Sequence, residues 1–209
     1  VEQSLGSPDN ALIGFDIKAN AFNHLQLYTQ FILDEFNFKE LVKNSGWWAN
    51  KFGWQIGAKY IDVVPNLDLQ AEFNMARPYL YSHNTGSNVT ANYTHYNQPL
   101  AHPLGANFYE FIAIGRYRIL KNLNVTVKYI NSTYGEDSVD ATTKTLTHFG
   151  GDILRSTTAE TVRGVYGNKI GQGAKAKQNY FDMLISYQPW HNVYIDAEIL
   201  YRKKDSKIN

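Results

Sequence analysis

Hydrophobic and polar residues alternate one by one along much of this chain. From Leu67 to Met75 every odd-numbered residue is apolar, and every even-numbered residue is polar or charged. Successive side chains of a β-strand point to opposite faces, so this segment predicts a strand with one apolar and one polar face. The same alternation recurs in seven further segments: 12–19, 25–34, 52–60, 109–118, 123–129, 180–187 and 193–202. The sequence therefore predicts an all-β fold of about eight strands.

The segments between these strands alternate between short and long. Short connections are predicted near residue 20 and at 64–66, 121–122 and 189–192, and long ones at 36–49, 78–106 and 132–177. Transmembrane β-barrels have short turns on the periplasmic side and long loops outside the cell. Strands of about 9–13 residues are also suited to crossing a bilayer at a tilt. The pattern favours an antiparallel transmembrane β-barrel in the bacterial outer membrane.

Aromatic residues lie near both ends of the predicted strands. One group is beside the short turns (Tyr60, Tyr117, Tyr187 and Trp190), and the other is toward the long loops (Trp54, Tyr109, Tyr129 and Tyr201). Tyr and Trp prefer the headgroup layer of a membrane, where the ring is buried and its polar atom stays hydrated. The two groups are typical of aromatic girdles, although a Tyr-rich soluble β-sandwich would also account for them.

Composition narrows the class of protein further. Charged residues make up 19% of the chain, below the roughly 25% of an average soluble domain, and aromatic residues make up 14%. The net charge is +1 with scattered Lys and Arg, which argues against nucleic acid as a partner. The chain has no cysteine, and no apolar run is long enough for a transmembrane helix. Both ends are polar and neither resembles a signal peptide, so we expect residues 1–209 to be a single barrel domain truncated at the N-terminus.

Two groups of residues are candidates for chemistry. Loop 95–107 combines His, Tyr, Asn and Gln with the rigid residues Pro99, Pro103 and Gly105. Sugar recognition needs flat rings and planar hydrogen-bonding groups, so this loop could bind a glycan; alternatively, it folds inward and plugs the barrel, with its histidines bonded to neighbours. The second group consists of charged residues that mostly face the predicted lumen, where we expect them to form a charge network: Asp34, Glu72, Glu110, Arg116 and Arg118.

Catalysis and metal binding receive little support from the sequence. Glu72 and Glu110 could act as a general acid and base, but no nucleophile motif or placed histidine accompanies them. The spacing of His83, His95 and His102 matches no compact metal motif. No phosphate-binding glycine loop or hydrolase motif is present. We therefore expect neither an enzyme nor a cofactor.

Several stretches between residues 30 and 120 resemble the Wzi-like capsule-assembly family. The resemblance is closest to its Bacteroidota branch, whose members include RemB-type gliding-motility relatives. It is carried by these stretches: Phe31-Ile-Leu-Asp-Glu-Phe36, Gly46-Trp-Trp-Ala-Asn-Lys-Phe-Gly53, Gln55-Ile-Gly-Ala-Lys-Tyr60, Arg77-Pro-Tyr79, Tyr81-Ser-His83 and His95-Tyr-Asn-Gln-Pro-Leu-Ala-His-Pro-Leu-Gly-Ala-Asn107.

The resemblance implies the C-terminal part of a larger outer-membrane barrel. It also implies a lectin role without catalysis, in which the barrel holds capsular or exopolysaccharide at the cell surface. Six motif positions carry over as candidate carbohydrate-binding residues: Arg77, Tyr79, His95, Asn97, Gln98 and His102. The leading alternative is an accessory barrel that docks protein partners in gliding motility or secretion. A passive pore and a barrel hydrolase are more distant alternatives.

Overall fold

A computed structural model describes residues 10–83, 91–139, 145–157 and 162–208 of the chain. The predicted long loops 78–106 and 132–177 therefore lie partly outside the described residues. In chain order the elements are β1 (Ile13–Ala21), β2 (Leu25–Glu35), α1 (Phe38–Val42), β3 (Lys51–Val64), β4 (Leu67–Ala76), β5 (Thr94–His95), β6 (Gln98–Pro99), β7 (Phe108–Leu120), β8 (Leu123–Glu136), β9 (Ser138–Val139), β10 (Leu146–Thr147), β11 (Ala174–Trp190) and β12 (Val193–Ser206).

The eight long strands form one antiparallel sheet, so the prediction of an all-β fold with eight strands is confirmed. The order across the sheet is β1-β2-β3-β4-β7-β8-β11-β12, in which each long strand pairs with the next long strand along the chain. The sheet is open, because β1 and β12 form its two edges and do not pair with each other. Several strands are longer than the alternation predicts, and the largest extensions are those of β8, which continues to Glu136, and β11, which begins at Ala174.

The short connections join the strands at one end of the sheet, as predicted. Residues 65–66, 121–122 and 191–192 form two-residue turns, and residues 22–24 link β1 to β2. Asn66 and Asn192 have φ values of 67° and 61°. Asparagine tolerates this left-handed conformation better than most residues, and it is favoured in two-residue hairpin turns. The three long connections consequently lie together at the opposite end of the sheet.

The pairing register places the apolar residues of all eight strands on the same face of the sheet. Leu27, Ala58, Ala71 and Ala113, for example, lie side by side across four strands. We call this surface the apolar face, and the opposite surface the polar face. The apolar face comprises the odd-numbered residues of 13–21, 25–33, 67–75, 109–117, 123–129, 181–187 and 193–201 and the even-numbered residues of 52–60.

No residue of the apolar face is buried. Phe15, Ile56 and Phe111 are 62%, 50% and 43% exposed, and all eight residues of the two predicted aromatic girdles are at least 38% exposed. Seven of the eight belong to this face, and the eighth, Trp190, pairs with Val193 of the face after a register shift in β11. No described segment packs over these side chains, so the apolar face has no second sheet or helix layer of the kind that a soluble sandwich would have. Nor is any helix in the described ranges long and apolar enough to cross a membrane.

The small hydrophobic core lies instead between the polar face and the long loops. Its buried members are Ala76, Leu80, Tyr81, Ala106, Phe108 and Ile153. Leu80 packs against Gly53 and Ile32, so closely that a Cβ on Gly53 would lie 3.0 Å from the Leu80 side chain. The long loops therefore fold inward over the polar face. We call the described residues of 36–50, 77–83, 91–107, 145–157 and 162–173 the loop cap.

Backbone hydrogen bonds join segments of the cap that are far apart in sequence. Tyr79 donates its N–H to the carbonyl of Gly150 at 2.9 Å, and Gly167 and Asn168 donate to Ser45 and Gly46, both at 2.9 Å. Gly150 has a φ of +84°, and a Cβ there would lie 2.6 Å from the Tyr79 nitrogen. Only glycine fits this crossing without strain. The cap is thus a packed unit and not a set of independent loops.

Candidate functional site

A continuous chain of side-chain hydrogen bonds runs along the polar face. Tyr28 donates its hydroxyl to Oε2 of Glu72 at 2.7 Å and accepts from the Gln70 amide at 3.0 Å. The Asn74 amide donates to Oε1 of Glu72 at 2.9 Å and to Oε1 of Glu110 at 3.4 Å. The two glutamates, which lie on adjacent strands, are therefore connected through Asn74.

Glu110 links this chain to the loop cap. Ser132 donates to its Oε2 at 3.0 Å, and Nε2 of His102 lies 3.0 Å from its Oε1. Nδ1 of His102 accepts the Leu104 N–H at 3.2 Å, so Nε2 is the nitrogen that carries hydrogen and donates to Glu110. The His102 ring also stacks on Phe108 at 4.3 Å. His102 is thus bonded to its neighbours, as the plug interpretation predicts.

Tyr28 lies flat across the backbone of the neighbouring strand. A Cβ on Gly57 would be only 2.2 Å from Cζ of Tyr28, so the ring occupies the space that any other residue at 57 would need. The Lys59 ammonium lies 5.6 Å from the ring centre. A glycine paired with an aromatic side chain on the next strand is a known way to stabilise a strongly curved sheet.

All five residues of the predicted charge network lie on the polar face, but they do not pair with one another within the described part of the chain. Arg116 contacts Oε1 of Gln70 at 3.4 Å, and Arg118 donates to Oδ1 of Asn66 at 2.7 Å. Asp34 accepts from the Tyr81 N–H at 3.1 Å and lies 2.7 Å from Nε2 of His83. The arginines lie toward the short turns, whereas Asp34 and Glu110 lie at the long-loop end, which separates the opposite charges.

Two of the six predicted carbohydrate-binding residues are built into the interior of the cap. Arg77 donates from Nε to the carbonyl of Asn50 at 2.7 Å. Tyr79 is fully buried, donates its hydroxyl to the carbonyl of His148 at 2.8 Å and accepts the Arg163 N–H at 3.2 Å. Burial raises the pKa of Tyr79 to about 12, so the hydroxyl stays protonated and remains a donor. These contacts indicate that both side chains hold the cap together.

Three other predicted residues project into solvent from a small hairpin. Strands β5 and β6 pair His95 with Gln98, and Tyr96 and Asn97 form the turn with φ values of 47° and 59°. All four side chains are exposed, and the His95 ring contacts the Tyr96 ring at 4.3 Å. The hairpin therefore presents two rings and two amides outward, which is the combination that sugar recognition needs.

Between this part of the cap and the polar face lies an open cleft of about 320 Å³. Its polar lining consists of Gln30, Gln55, Asn74, Tyr81, Tyr93 and His102. The Tyr81 and Tyr93 rings lie 5.8 Å apart at an angle of 31°. Burial, followed by the nearby Asp34 carboxylate, raises the pKa of Tyr81, so this phenol is neutral at physiological pH. The cleft is therefore lined by both uncharged amide groups and aromatic rings.

The cleft contains His102 but also residues that the sequence did not indicate as candidates for binding. Gln55 and Tyr93 are the clearest examples, because each belongs to a segment that reads only as strand or loop. Parity placed Gln55 on the polar face, but only the inward fold of the cap shows that it lines the same cleft as Tyr93. The side-chain amide of Gln55 makes no hydrogen bond to another described residue, so it is available to a ligand.

A second cleft, of about 480 Å³, opens toward the short turns. Its charged lining residues are Asp62, Asp68, Arg116 and Arg118. Asp68 accepts the Asp62 N–H at 3.0 Å, and Asp62 accepts the Asn66 N–H at 2.9 Å, so both carboxylates support the β3–β4 turn. The two acidic and two basic side chains give this lining no net charge.

We expect the loop cap to become less stable at acidic pH, because the carboxylate of Asp137 is protonated there. Its carboxylate accepts the Phe149 N–H at 2.7 Å, and Nε of Arg155 lies 3.2 Å away. Burial opposes ionisation, but the His148 hydrogen bond, the Phe149 N–H and the nearby positive charges outweigh it and lower the pKa of Asp137. A carboxyl whose pKa is lower in the folded state contributes stability above its unfolded pKa of about 3.9, and this is lost as pH falls through the folded value.

Hydrogen exchange at the Phe149 amide, corrected for the intrinsic pH dependence of exchange, measures this loss. Protection should decrease from about pH 5 downward. An Asp137→Asn variant should be less protected at pH 7 and nearly insensitive to pH over the same range. Equal pH dependence in the variant and the wild type would show that another group controls the cap.

Among the described residues, no group of three or more His, Cys, Asp or Glu is arranged to hold a metal ion. His83 and His102 instead contact different carboxylates, Asp34 and Glu110.

Comparisons of the chain with protein-family models, with curated proteins and with solved structures found no match.

Proposed function

We propose that this chain is part of an outer-membrane β-barrel that binds surface polysaccharide without catalysis. The observation that carries the proposal is the distribution of burial, since the apolar face is uncovered and the core lies on the polar face. Soluble proteins rarely expose continuous apolar patches larger than a few hundred Å². Lipid is the environment that would cover this face, while water and the cap would occupy the polar side.

The two sheet edges support a barrel with more strands than these eight. The outer edges of β1 and β12 carry backbone N–H and C=O groups that pair with no other strand among the described residues. In lipid each such group costs several kcal/mol, so only a closed barrel is stable there. We therefore propose that further strands of the protein pair with both edges, as the resemblance to a larger barrel implies.

The polysaccharide site that we propose combines the cleft with the exposed β5–β6 hairpin. The cleft offers the Gln55 amide and the paired rings of Tyr81 and Tyr93, and the hairpin adds His95, Asn97 and Gln98 at the same end of the sheet. Both lie on the long-loop side, which faces outward in barrels of this class.

A non-catalytic role is favoured by the state of the two glutamates. Both oxygens of Glu72 accept hydrogen bonds, from Asn74 and Tyr28, and both oxygens of Glu110 accept them, from His102 and Ser132. A general acid or base needs an oxygen that can reach the substrate. These carboxylates instead connect the strands and hold the cap.

The test is polysaccharide retention by cells that produce the full-length protein with the double change Gln55→Ala and Tyr93→Ala. We expect retained surface polysaccharide to fall at least about tenfold, because each lost contact weakens binding by about 1 kcal/mol or more. The matched control is Tyr166→Ala, which removes an exposed ring of the cap outside the cleft. Unchanged retention by a folded double variant would contradict the proposed site.

A second candidate function is the docking of protein partners in gliding motility or secretion. Its supporting observation is a group of exposed apolar side chains around α1, formed by Phe36, Phe38, Leu41 and Val42. Exposed apolar patches of this kind mark interaction surfaces. Loss of gliding or secretion in a Phe38→Ser, Val42→Ser variant with normal polysaccharide retention would favour this function.

A further inference from the structure

The cleft under the cap has a lining without strong charges. Among the described residues that line it, none is Arg, Lys, Asp or Glu, and His102 is the only titratable group apart from the two tyrosines. The Gln55 amide and the two phenols supply donors and acceptors, and the Asn74 side-chain oxygen adds an acceptor. Leu100 and Ala101 add an apolar wall. Such a surface matches hydroxyl groups and the faces of sugar rings.

Three carboxylates lie directly behind this lining, each one hydrogen bond away from it. Glu72 and Glu110 accept from Asn74, Glu110 also accepts from His102, and Asp34 accepts the Tyr81 N–H. All of them have protein donors, so none needs a cationic ligand to satisfy it. Their charges nevertheless make the potential inside the cleft negative.

Three positively charged or basic side chains near the cleft already contact other groups of the protein. The Lys51 ammonium is buried, donates to the carbonyl of Ser82 at 2.9 Å and lies 3.3 Å from Glu35. Arg77 is directed at the carbonyls of Asn50, Trp47 and Asn168. His83 contacts Asp34 and Glu35, so any positive charge on it is already neutralised. The Lys59 ammonium, which lies 5.6 Å from the Tyr28 ring, has no carboxylate partner among the described residues, but it is not part of the cleft lining. An acidic ligand in the cleft would therefore meet three carboxylates and no cation in the described lining.

We infer that the cleft takes uncharged saccharides, such as neutral hexoses and N-acetylhexosamines, and rejects saccharides that carry acidic groups. The juxtaposition that supports this is a neutral lining of amides and tyrosines in front of the carboxylates of Asp34, Glu72 and Glu110. The inference rests on the proposed glycan-binding function and specifies the class of ligand for the same site.

The experiment measures binding of the full-length protein, in detergent, to an array of oligosaccharides in matched pairs. Each pair consists of a neutral oligosaccharide and its counterpart of the same length and linkage with uronic acids in place of hexoses. We expect the neutral member to bind about tenfold or more tightly, because the carboxylates of Asp34, Glu72 and Glu110 behind the lining repel a negatively charged ligand and the described lining supplies no cation to offset this. Equal binding or a preference for the acidic member would overturn the inference, and binding of no saccharide would overturn the proposed function as well.

A variant of the protein with a positive charge added to the cleft tests the same electrostatic argument. Gln55→Lys places an ammonium in the cleft, and we expect the preference for the neutral member to shrink about tenfold or to reverse. The matched control is Tyr166→Lys, which adds the same charge at an exposed position of the cap, outside the cleft lining and the hairpin. If the Tyr166→Lys variant changes the preference as much as the Gln55→Lys variant does, the cleft is not the origin of the selectivity.

Discussion

Exchanging Ala58 and Lys59 in the double variant Ala58→Lys, Lys59→Ala is expected to reduce stability in a phospholipid bilayer by about 2–4 kcal/mol. Ala58 lies at the middle of β3 on the apolar face, between Leu27 and Ala71, and Lys59 points to the polar face. The exchange leaves composition and net charge unchanged. It only moves the ammonium to the face that we propose to be in lipid, where Lys near the midplane of a barrel costs this amount.

The single variant Lys59→Ala is the control for this exchange. It removes the contact between Lys59 and the Tyr28 ring but places no charge on the apolar face, so we expect a loss of about 1 kcal/mol or less. Urea-dependent unfolding of the full-length protein in vesicles measures both changes, and the amount of protein in the outer membrane of producing cells is a second readout. If the exchanged variant is no less stable than Lys59→Ala, the apolar face does not contact lipid.

The strands and their two faces were predictable from the sequence because both follow from a local rule. Alternate side chains point to opposite faces of a strand, so the order of residues in 67–75 or 193–202 already assigns each side chain to a face. Register then follows from the short turns, which allow little slippage between neighbouring strands. This is why the continuous apolar face was expected before the pairing was known.

Strand ends at the long-loop side were less predictable for a physical reason. In residues 174–177 of β11 the alternation has the opposite parity, since Lys175 and Lys177 occupy the odd positions that are apolar from 181 to 187, yet Ala174 pairs with Glu136. Ala176 is buried on the polar face, so near the cap the small apolar residues lie on that face. Backbone pairing continues there although the side-chain pattern has reversed.

The candidate site was predictable only in part, because its contacts join distant segments. Loop 95–107 stood out by composition, and the placement of His102 beside Glu110 agrees with the plug interpretation. Nothing local, however, indicates that Tyr79 is enclosed by residues near 148 and 163, or that Gln55 and Tyr93 line one cleft. Such contacts depend on how the loops pack against one another. The alternation of apolar and polar residues within a single strand gives no information about this packing.

Replacing Asn107 by alanine is expected to open the loop cap while the sheet remains folded. The Asn107 amide is fully buried; it donates to the carbonyls of Gly135 at 3.2 Å and Gln172 at 2.9 Å. Its oxygen accepts the N–H groups of Gly171 at 2.7 Å and Gln172 at 3.2 Å. Truncation would leave all four backbone groups without this partner, at about 1–3 kcal/mol for each that stays buried. We expect a loss of about 3 kcal/mol or more in the stability of the cap.

Hydrogen exchange is the suitable measurement, because the cap can open without unfolding of the sheet. A loss of about 3 kcal/mol corresponds to a roughly 100-fold decrease in the protection of the Gly171 and Gln172 amides. Amides at the centre of β7 should keep their protection. Asn97→Ala is the matched control, since Asn97 shares the positive φ of Asn107, 59° against 60°, but is exposed on the hairpin. Equal effects of the two substitutions would mean that backbone strain, and not the buried amide, determines the stability of the cap.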